Sequence, residues 1–194
     1  MMLRLFDICL SAFGLLILSP LFIIVTIWII IDSRGPVLYR QVRVGRFGVD
    51  FTLLKFRSMR VNADKAGLLT VGGRDNRITN AGFYLRKFKL DELPQLVNVL
   101  TGDMSLVGPR PEVRKYVQLY NDEQKKVLQV RPGITDLASI AYKNENELLA
   151  QSADPEKTYI NEVMPEKLRL NQQFIENPTI KNYFTIIFKT VIPV

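Results

Sequence analysis

Asp91 and Glu92 are adjacent carboxylates in the stretch Leu90-Asp91-Glu92-Leu93-Pro94-Gln95, with Arg86, Lys87 and Lys89 just upstream. From Leu93 the apolar residues Leu93, Leu96, Val97 and Leu100 recur at the spacing of one helix face. This predicts a helix that starts near Asp91 and closes at Thr101-Gly102. Asp91 could simply cap it. With Asp91 as N-cap, however, the third helical position is Pro94, which has no N–H, so only the Leu93 amide is left to bond. A chemical reading uses the same placement: a helix N-terminus and nearby cations attract a phosphate and keep a carboxylate ionised. An anionic nucleophile can then meet an anionic electrophile, and Mg²⁺ held by the oxygens of Asp91 and Glu92 would lower their repulsion.

A second candidate is Pro109-Arg110-Pro111, where two prolines hold an arginine in a stiff, extended segment. Such a segment aims one guanidinium with little entropy left to lose. Composition narrows the chemistry further. The 194 residues contain no histidine and one cysteine, Cys9, so no Ser-His-Asp or Cys-His relay and no intrachain disulfide can be built. Zinc sites favour His and Cys, so any metal is expected to be a hard ion on oxygen ligands. A net charge of +7 points to an anionic partner: nucleic acid, a membrane surface or a phosphorylated substrate.

The elements that must position these residues begin with an apolar segment. Ile8 to Ile31 is 24 residues without a charge, about 36 Å of straight helix and enough to cross a bilayer core. Ser19-Pro20 lies at its centre and predicts a kink at Ser19. Residues 34–60 carry seven Lys/Arg against one acid, Asp50. That patch suits anionic headgroups or a solvated hairpin face, and its cations place the C-terminal body in the cytoplasm.

Val37–Val44 and Val49–Met59 read as strands of a hairpin around Gly45-Arg46-Phe47-Gly48. Residues 61–69 read as a short helix, and 70–80, with Gly72-Gly73, Arg74 and Arg77, as a polar loop. Glu112–Val130 reads as a helix, Arg131-Pro132-Gly133 as a turn and Ile134–Tyr142 as a strand. Asp154-Pro155 should cap and start a helix running toward Phe174, bent or restarted at Pro165, with a boundary at Asn177-Pro178. In the tail, Ile180, Tyr183, Phe184, Ile187, Phe188 and Val191 share one face, suited equally to core packing and to a membrane interface.

Taken together, the broken apolar helix, Lys55-Phe56-Arg57-Ser58-Met59, Leu90–Gln95, Gly102-Asp103-Met104-Ser105, Val107-Gly108-Pro109-Arg110-Pro111-Glu112 and Arg131-Pro132-Gly133-Ile134-Thr135 closely resemble the bacterial sugar transferase family of monotopic phosphoglycosyl transferases. The resemblance covers nearly the whole chain, in order, and looks like the family's minimal form. It implies an α+β protein: a re-entrant membrane helix over residues 1–32, hinged at Ser19 and Pro20, and a small, mainly helical catalytic domain over 33–194 with a β-hairpin and interfacial amphipathic helices. It also implies an Mg²⁺-dependent enzyme on the cytoplasmic face of the bacterial inner membrane. That enzyme would move a sugar 1-phosphate from a UDP-sugar to undecaprenyl phosphate, release UMP and start a surface glycan or glycoconjugate.

In the family the aspartate of the dyad attacks the β-phosphate and holds the phosphosugar covalently. Asp91 matches that nucleophile, and Glu92 its partner in metal or acceptor positioning. Arg86 and Arg110 match phosphate-binding arginines, and Lys55 and Arg57 join the expected substrate-binding cations. Many relatives carry Asn-Gly-Arg-Asn after the Arg-Pro-Gly-Ile-Thr motif, with an arginine on the nucleotide sugar. Here the run is Ala141-Tyr142-Lys143-Asn144, and Lys143 keeps the charge without the fork. The expected partners exclude nucleic acid; a homodimer is compatible with the sequence, which fixes neither oligomeric state nor donor sugar. The rival reading is a non-catalytic, basic, membrane-anchored module for lipid or nucleic acid. It explains the charge and the anchor but not the dyad.

Overall fold

The computed structural model describes residues 2–63 and 75–191, and the architecture is α+β, mainly helical with two small sheets. Helices α1 (Met2–Ile17) and α2 (Ser19–Asp32) are bent by 61° at Leu18, one residue before the expected kink. Pro20 has no N–H to give the Leu16 carbonyl, and the Ser19 hydroxyl donates to that carbonyl at 2.8 Å instead. Neither helix alone is long and apolar enough to cross a membrane.

The hairpin forms as expected, with strands β1 (Leu38–Val44) and β2 (Asp50–Phe56) antiparallel and Leu38 opposite Phe56. Its turn needs positive φ at Phe47 and Gly48. One face of α2, Val25 and Ile29, packs on Phe56, on Leu85 of α3 (Asn80–Lys87), and on Leu90 and Leu93, the residues that bracket the dyad. Of the expected helix at 61–69, residues 64–69 lie outside the described residues, and so do 70–74 of the expected loop at 70–80.

Two expectations around the dyad change. The residues Leu90–Glu92 form a single 3₁₀ turn, and α4 begins at Gln95 and runs to Thr101, ending on Gly102 with φ 100°. Asp91 therefore caps nothing. Lys89, at φ 54°, turns the chain after α3 into this 3₁₀ turn, a left-handed conformation that is uncommon for a residue with a Cβ.

Strand β3 (Ser105–Val107) pairs in parallel with β4 (Gly133–Thr135). Expected as one strand, Ile134–Tyr142 instead divides between β4 and helix α6 (Leu137–Ala141), because Asp136 accepts from the Ser139 N–H and starts a helix there. The expected helix over Glu112–Val130 is also corrected. After an extended start come α5 (Arg114–Val117) and a separate 3₁₀ helix at Gln124–Gln129, because the side chains of Asn121 and Gln124 each bond the other's backbone N–H.

Beyond α7 (Glu145–Ala150), Asp154 caps α8 (Pro155–Thr158) at the Lys157 N–H, as expected. A π-helical turn at Tyr159–Val163 precedes α9 (Met164–Glu176), so the helix restarts at Pro165. In α10 (Ile180–Val191), Tyr183 and Ile186 are buried while Phe184, Phe188 and Val191 are exposed, so the tail's apolar residues divide between core and surface.

Polar contacts tie α1 to the rest of the molecule. Arg4 donates to the carbonyls of Val99 (2.7 Å), Leu100 (3.2 Å) and Met104 (3.3 Å), closing the end of α4. The buried Asp7 accepts from the Ser105 hydroxyl, the Leu106 N–H and the Tyr183 hydroxyl at 2.8–2.9 Å.

Candidate active site

The dyad opens into a cleft of about 610 Å³ whose described lining carries ten Lys or Arg side chains against four Asp or Glu. An excess of six positive charges in a concave site selects an anion, and the volume falls in the range of small-molecule sites.

Each charged group is placed by a specific structural device. The Asn98 side chain, on α4, accepts from the Leu54 N–H at 3.0 Å and donates to the Thr52 carbonyl at 2.8 Å, completing the edge of β2 that faces away from β1. This fixes Lys55 against the 3₁₀ turn, where its ammonium sits 2.9 Å from Glu92 Oε1. On the other side, Gly108 and Gly133 bring two backbones together. The Gly108 N–H donates to Thr135 O, and the Gly133 N–H to Pro109 O. A Cβ on Gly133 would stand 2.1 Å from the Gly108 nitrogen. The Arg110 N–H then donates to Asp136 Oδ2 at 2.9 Å, and its guanidinium reaches both oxygens of Glu92. Pro-Arg-Pro thus aims Arg110 as the sequence predicts, at Glu92.

The two carboxylates have different environments. Burial pushes Glu92 upward, but Arg110 and Lys55 outweigh it and hold the carboxyl well below its usual range. Asp91 is 6% exposed and makes no hydrogen bond or ion pair with a described residue. Burial raises its pKa against the opposing pull of Lys55, and Glu92 adds to the rise while Arg86 and Arg110 oppose it. Glu92 is a locked anion, and Asp91 is a carboxylate whose lone pairs remain available.

Other expected residues are placed as follows. Arg86 lines the cleft near Asp91, and Lys143 stands exposed on its rim. Arg57 also borders the cleft, but its Nη2 is committed to the end of α2, donating to Ile29 O (3.3 Å), Ser33 O (2.5 Å) and Ser33 Oγ (3.0 Å). Among the described residues no three acidic or thiol side chains gather as a ready metal cage. The donor set still fits Mg²⁺, which keeps several waters and binds through one or two carboxylates plus substrate phosphates. Asp91 offers open lone pairs for it, whereas Glu92 already accepts from Lys55 and Arg110. Sequence reasoning missed Asp136, which holds the Arg110 backbone. Its signal was the Asp-x-x-Ser cap of α6.

A cationic cleft around a carboxylate dyad, carried by an α+β body with a bent apolar helix pair, defines a site suited to an anionic ligand. The chain belongs to the Bacterial sugar transferase family, whose sequence model matches residues 1–194. It is 36% identical over 188 residues to the UDP-N-acetylgalactosamine-undecaprenyl-phosphate N-acetylgalactosaminephosphotransferase of Aeromonas hydrophila, covering 95% of this chain and 41% of that protein. It is 35% identical over 196 residues to the UDP-glucose:undecaprenyl-phosphate glucose-1-phosphate transferase of Klebsiella pneumoniae, covering 97% and 39%. With the exopolysaccharide production protein ExoY of Rhizobium meliloti it shares 32% identity over 203 residues, covering 97% and 83%. The chain therefore spans about two fifths of the length of the first two relatives.

Proposed function

We propose that this protein transfers a sugar 1-phosphate from a UDP-sugar to undecaprenyl phosphate through a covalent intermediate on Asp91. The observation that carries the reading is the unequal dyad: one carboxylate locked by two cations beside one that is buried and without a hydrogen-bond partner among the described residues. An Asp91 oxygen attacks the sugar-bearing β-phosphorus, the bond from that phosphorus to the bridging oxygen breaks, and UMP leaves with the electron pair. A phosphate oxygen of the acceptor then attacks the same phosphorus, and the Asp91–phosphorus bond breaks to restore the carboxylate. A carboxylate and a phosphate both attack as anions and neither step deprotonates a hydroxyl, so neither calls for an imidazole base, in keeping with a chain that has no histidine.

Arg110 and Lys55 hold Glu92 and extend positive charge toward the diphosphate, with Arg86 beside Asp91. Asp91, with Glu92 beside it, would hold Mg²⁺, which would supply positive charge to the leaving phosphate. Residues 1–32 form the re-entrant membrane hairpin and 33–194 the catalytic domain, with the cleft at the cytoplasmic headgroup plane of the bacterial inner membrane. The bend at Leu18 and the exposed apolar residues of α1 and α2 support that placement. The test incubates the purified protein with UDP-sugars, undecaprenyl phosphate and Mg²⁺. UMP release and a phosphosugar adduct by intact mass are expected, with the adduct abolished in Asp91→Asn. No UMP from a broad donor panel, or an adduct that persists in Asp91→Asn, overturns the reading.

A further inference from the structure

Three carboxylates act on the Arg110 charge. Its guanidinium is held protonated first by Glu92 and, more weakly, by Asp136 and Glu112. Asp136 is occupied by the backbone N–H groups of Arg110 and Ser139. Glu112 lies two residues beyond Arg110 in the same non-helical segment and lines the same cleft, which makes its carboxylate a rival for the fork that Glu92 accepts.

Two other groups occupy Glu112. The Tyr159 hydroxyl donates to its Oε1, and Arg43 Nη1 lies 3.4 Å from its Oε2. The same Arg43 nitrogen donates to the Pro111 carbonyl at 3.0 Å, while Arg43 Nε and Nη2 donate to Gln41 Oε1 at 3.0 and 2.8 Å. One residue on, the Val44 N–H donates to the Glu112 carbonyl at 2.9 Å. Strand β1 therefore holds the chain just after Arg110, as Asp136 holds it at Arg110. Tyr159 is 2% exposed and opens the π-helical turn, a rare element that recurs at functional sites.

We infer that Arg43 is a positioning residue for Arg110: it holds the Pro111 carbonyl and, with Tyr159, occupies Glu112, which leaves the Arg110 fork to Glu92. The inference rests on the transferase reading above and adds a residue that sets the geometry of its site. The hydrogen bonds of Arg43 go to Gln41, Pro111 and Glu112, and among the described residues none goes to the dyad, so it acts through Arg110. Without Arg43 the half-buried Glu112 carboxylate loses its cation, and Arg110 is drawn to it. A guanidinium turned toward Glu112 releases Glu92 and misplaces its charge against the diphosphate. A misplacement of about 1 Å can cost on the order of a hundredfold in rate. The positive field that draws the donor into the cleft falls by only one charge, so turnover suffers more than binding.

The test measures kcat and KM for UMP release in the full chain, with the best donor from a broad panel of UDP-sugars and with undecaprenyl phosphate and Mg²⁺, at a temperature where circular dichroism shows each variant folded. Arg43→Met should lower kcat by about tenfold while KM stays within about threefold. Adding Glu112→Gln removes the rival charge and should raise kcat again by about threefold, although the bond to the Pro111 carbonyl stays broken. On an Arg110→Lys background, where the fork is already gone, Arg43→Met should cost less than about twofold, whereas a residue that only supports the fold would give losses that multiply. Tyr159→Phe keeps the ring and loses the hydroxyl on Glu112. It should lower kcat by about threefold, with the same recovery on adding Glu112→Gln, and it takes the place of Arg43→Met if that variant does not fold. An unchanged kcat, no recovery on adding Glu112→Gln, or losses that multiply on the Arg110→Lys background overturns the inference and leaves the transferase reading standing. A wild type that releases UMP from no donor overturns both.

Discussion

Arg110 grips both carboxylate oxygens of Glu92 from a strand end 18 residues further along the chain, while Asp91, the next residue back, is gripped by nothing described. The fork matters because it fixes orientation as well as charge. A lysine at 110 would keep the charge but present a single point donor and lose the two-oxygen grip. Arg110→Lys is therefore expected to lower UMP release by about tenfold or more, with the fold intact by circular dichroism. An Arg110→Lys protein with wild-type turnover would remove the fork from the mechanism.

The aim of Arg110 depends on a glycine far from the dyad in sequence. Gly133→Ala places a methyl group 2.1 Å from the Gly108 nitrogen and 2.4 Å from its carbonyl oxygen, both backbone atoms that cannot rotate away. The strands must separate, and the Gly108–Thr135 and Gly133–Pro109 bonds that set Pro-Arg-Pro go with them. We expect destabilisation of about 3 kcal/mol and a loss of activity larger than unfolding alone accounts for. Thermal unfolding and turnover at a temperature well below the transition measure the two separately.

What was legible in the sequence is what is encoded locally. The hairpin announces itself through β-rich runs around a glycine turn, and Asp154-Pro155 is a complete helix start within two residues. Pro-Arg-Pro restricts its own backbone. The misread segments are those where a side-chain bond or a distant partner decides. The Glu112–Val130 stretch looks helical until Asn121 and Gln124 bond each other's backbone. Strands β3 and β4, three residues each, exist through one another across 28 residues from Ser105 to Gly133. The dyad was found, but its inequality was not. Nothing in Asp91-Glu92 says which carboxylate Lys55 and Arg110 will take, because that choice is made by Asn98 holding β2 and by Asp136 holding Arg110.

Asp7 is a test of how α1 is attached. Its carboxylate gathers the Ser105 hydroxyl, the Leu106 N–H and the Tyr183 hydroxyl, joining α1, β3 and α10 at one buried point. Removing it leaves buried donors without an acceptor, a loss of about 3 kcal/mol. Asp7→Ala should lower the unfolding temperature and expose α10 to protease. Asp7→Asn, which keeps one acceptor oxygen, should lose less than Asp7→Ala.

The hinge gives the last prediction, and it sets two effects against each other. Restoring an N–H at position 20 allows residues 2–32 to run as one helix of about 46 Å, more than enough to cross a bilayer core of about 30 Å. Against this stand the Arg4 bonds to three carbonyls and the three bonds to Asp7, all of which require the start of α1 to stay with α4, β3 and α10. An interior proline costs about 3 kcal/mol, and the docking contacts together exceed that. Pro20→Ala alone should therefore leave residue 2 on the same face as residue 34. Only Pro20→Ala combined with Arg4→Ala and Asp7→Ala should move residue 2 to the opposite face. Cysteine labelling at positions 2 and 34 in membrane vesicles, with Cys9 replaced by serine as the chain's sole native thiol, reads the outcome. If Pro20→Ala alone produces opposite-face labelling, the proline sets the topology. If the combined variant keeps both labels on one face, neither the hinge nor the docking does.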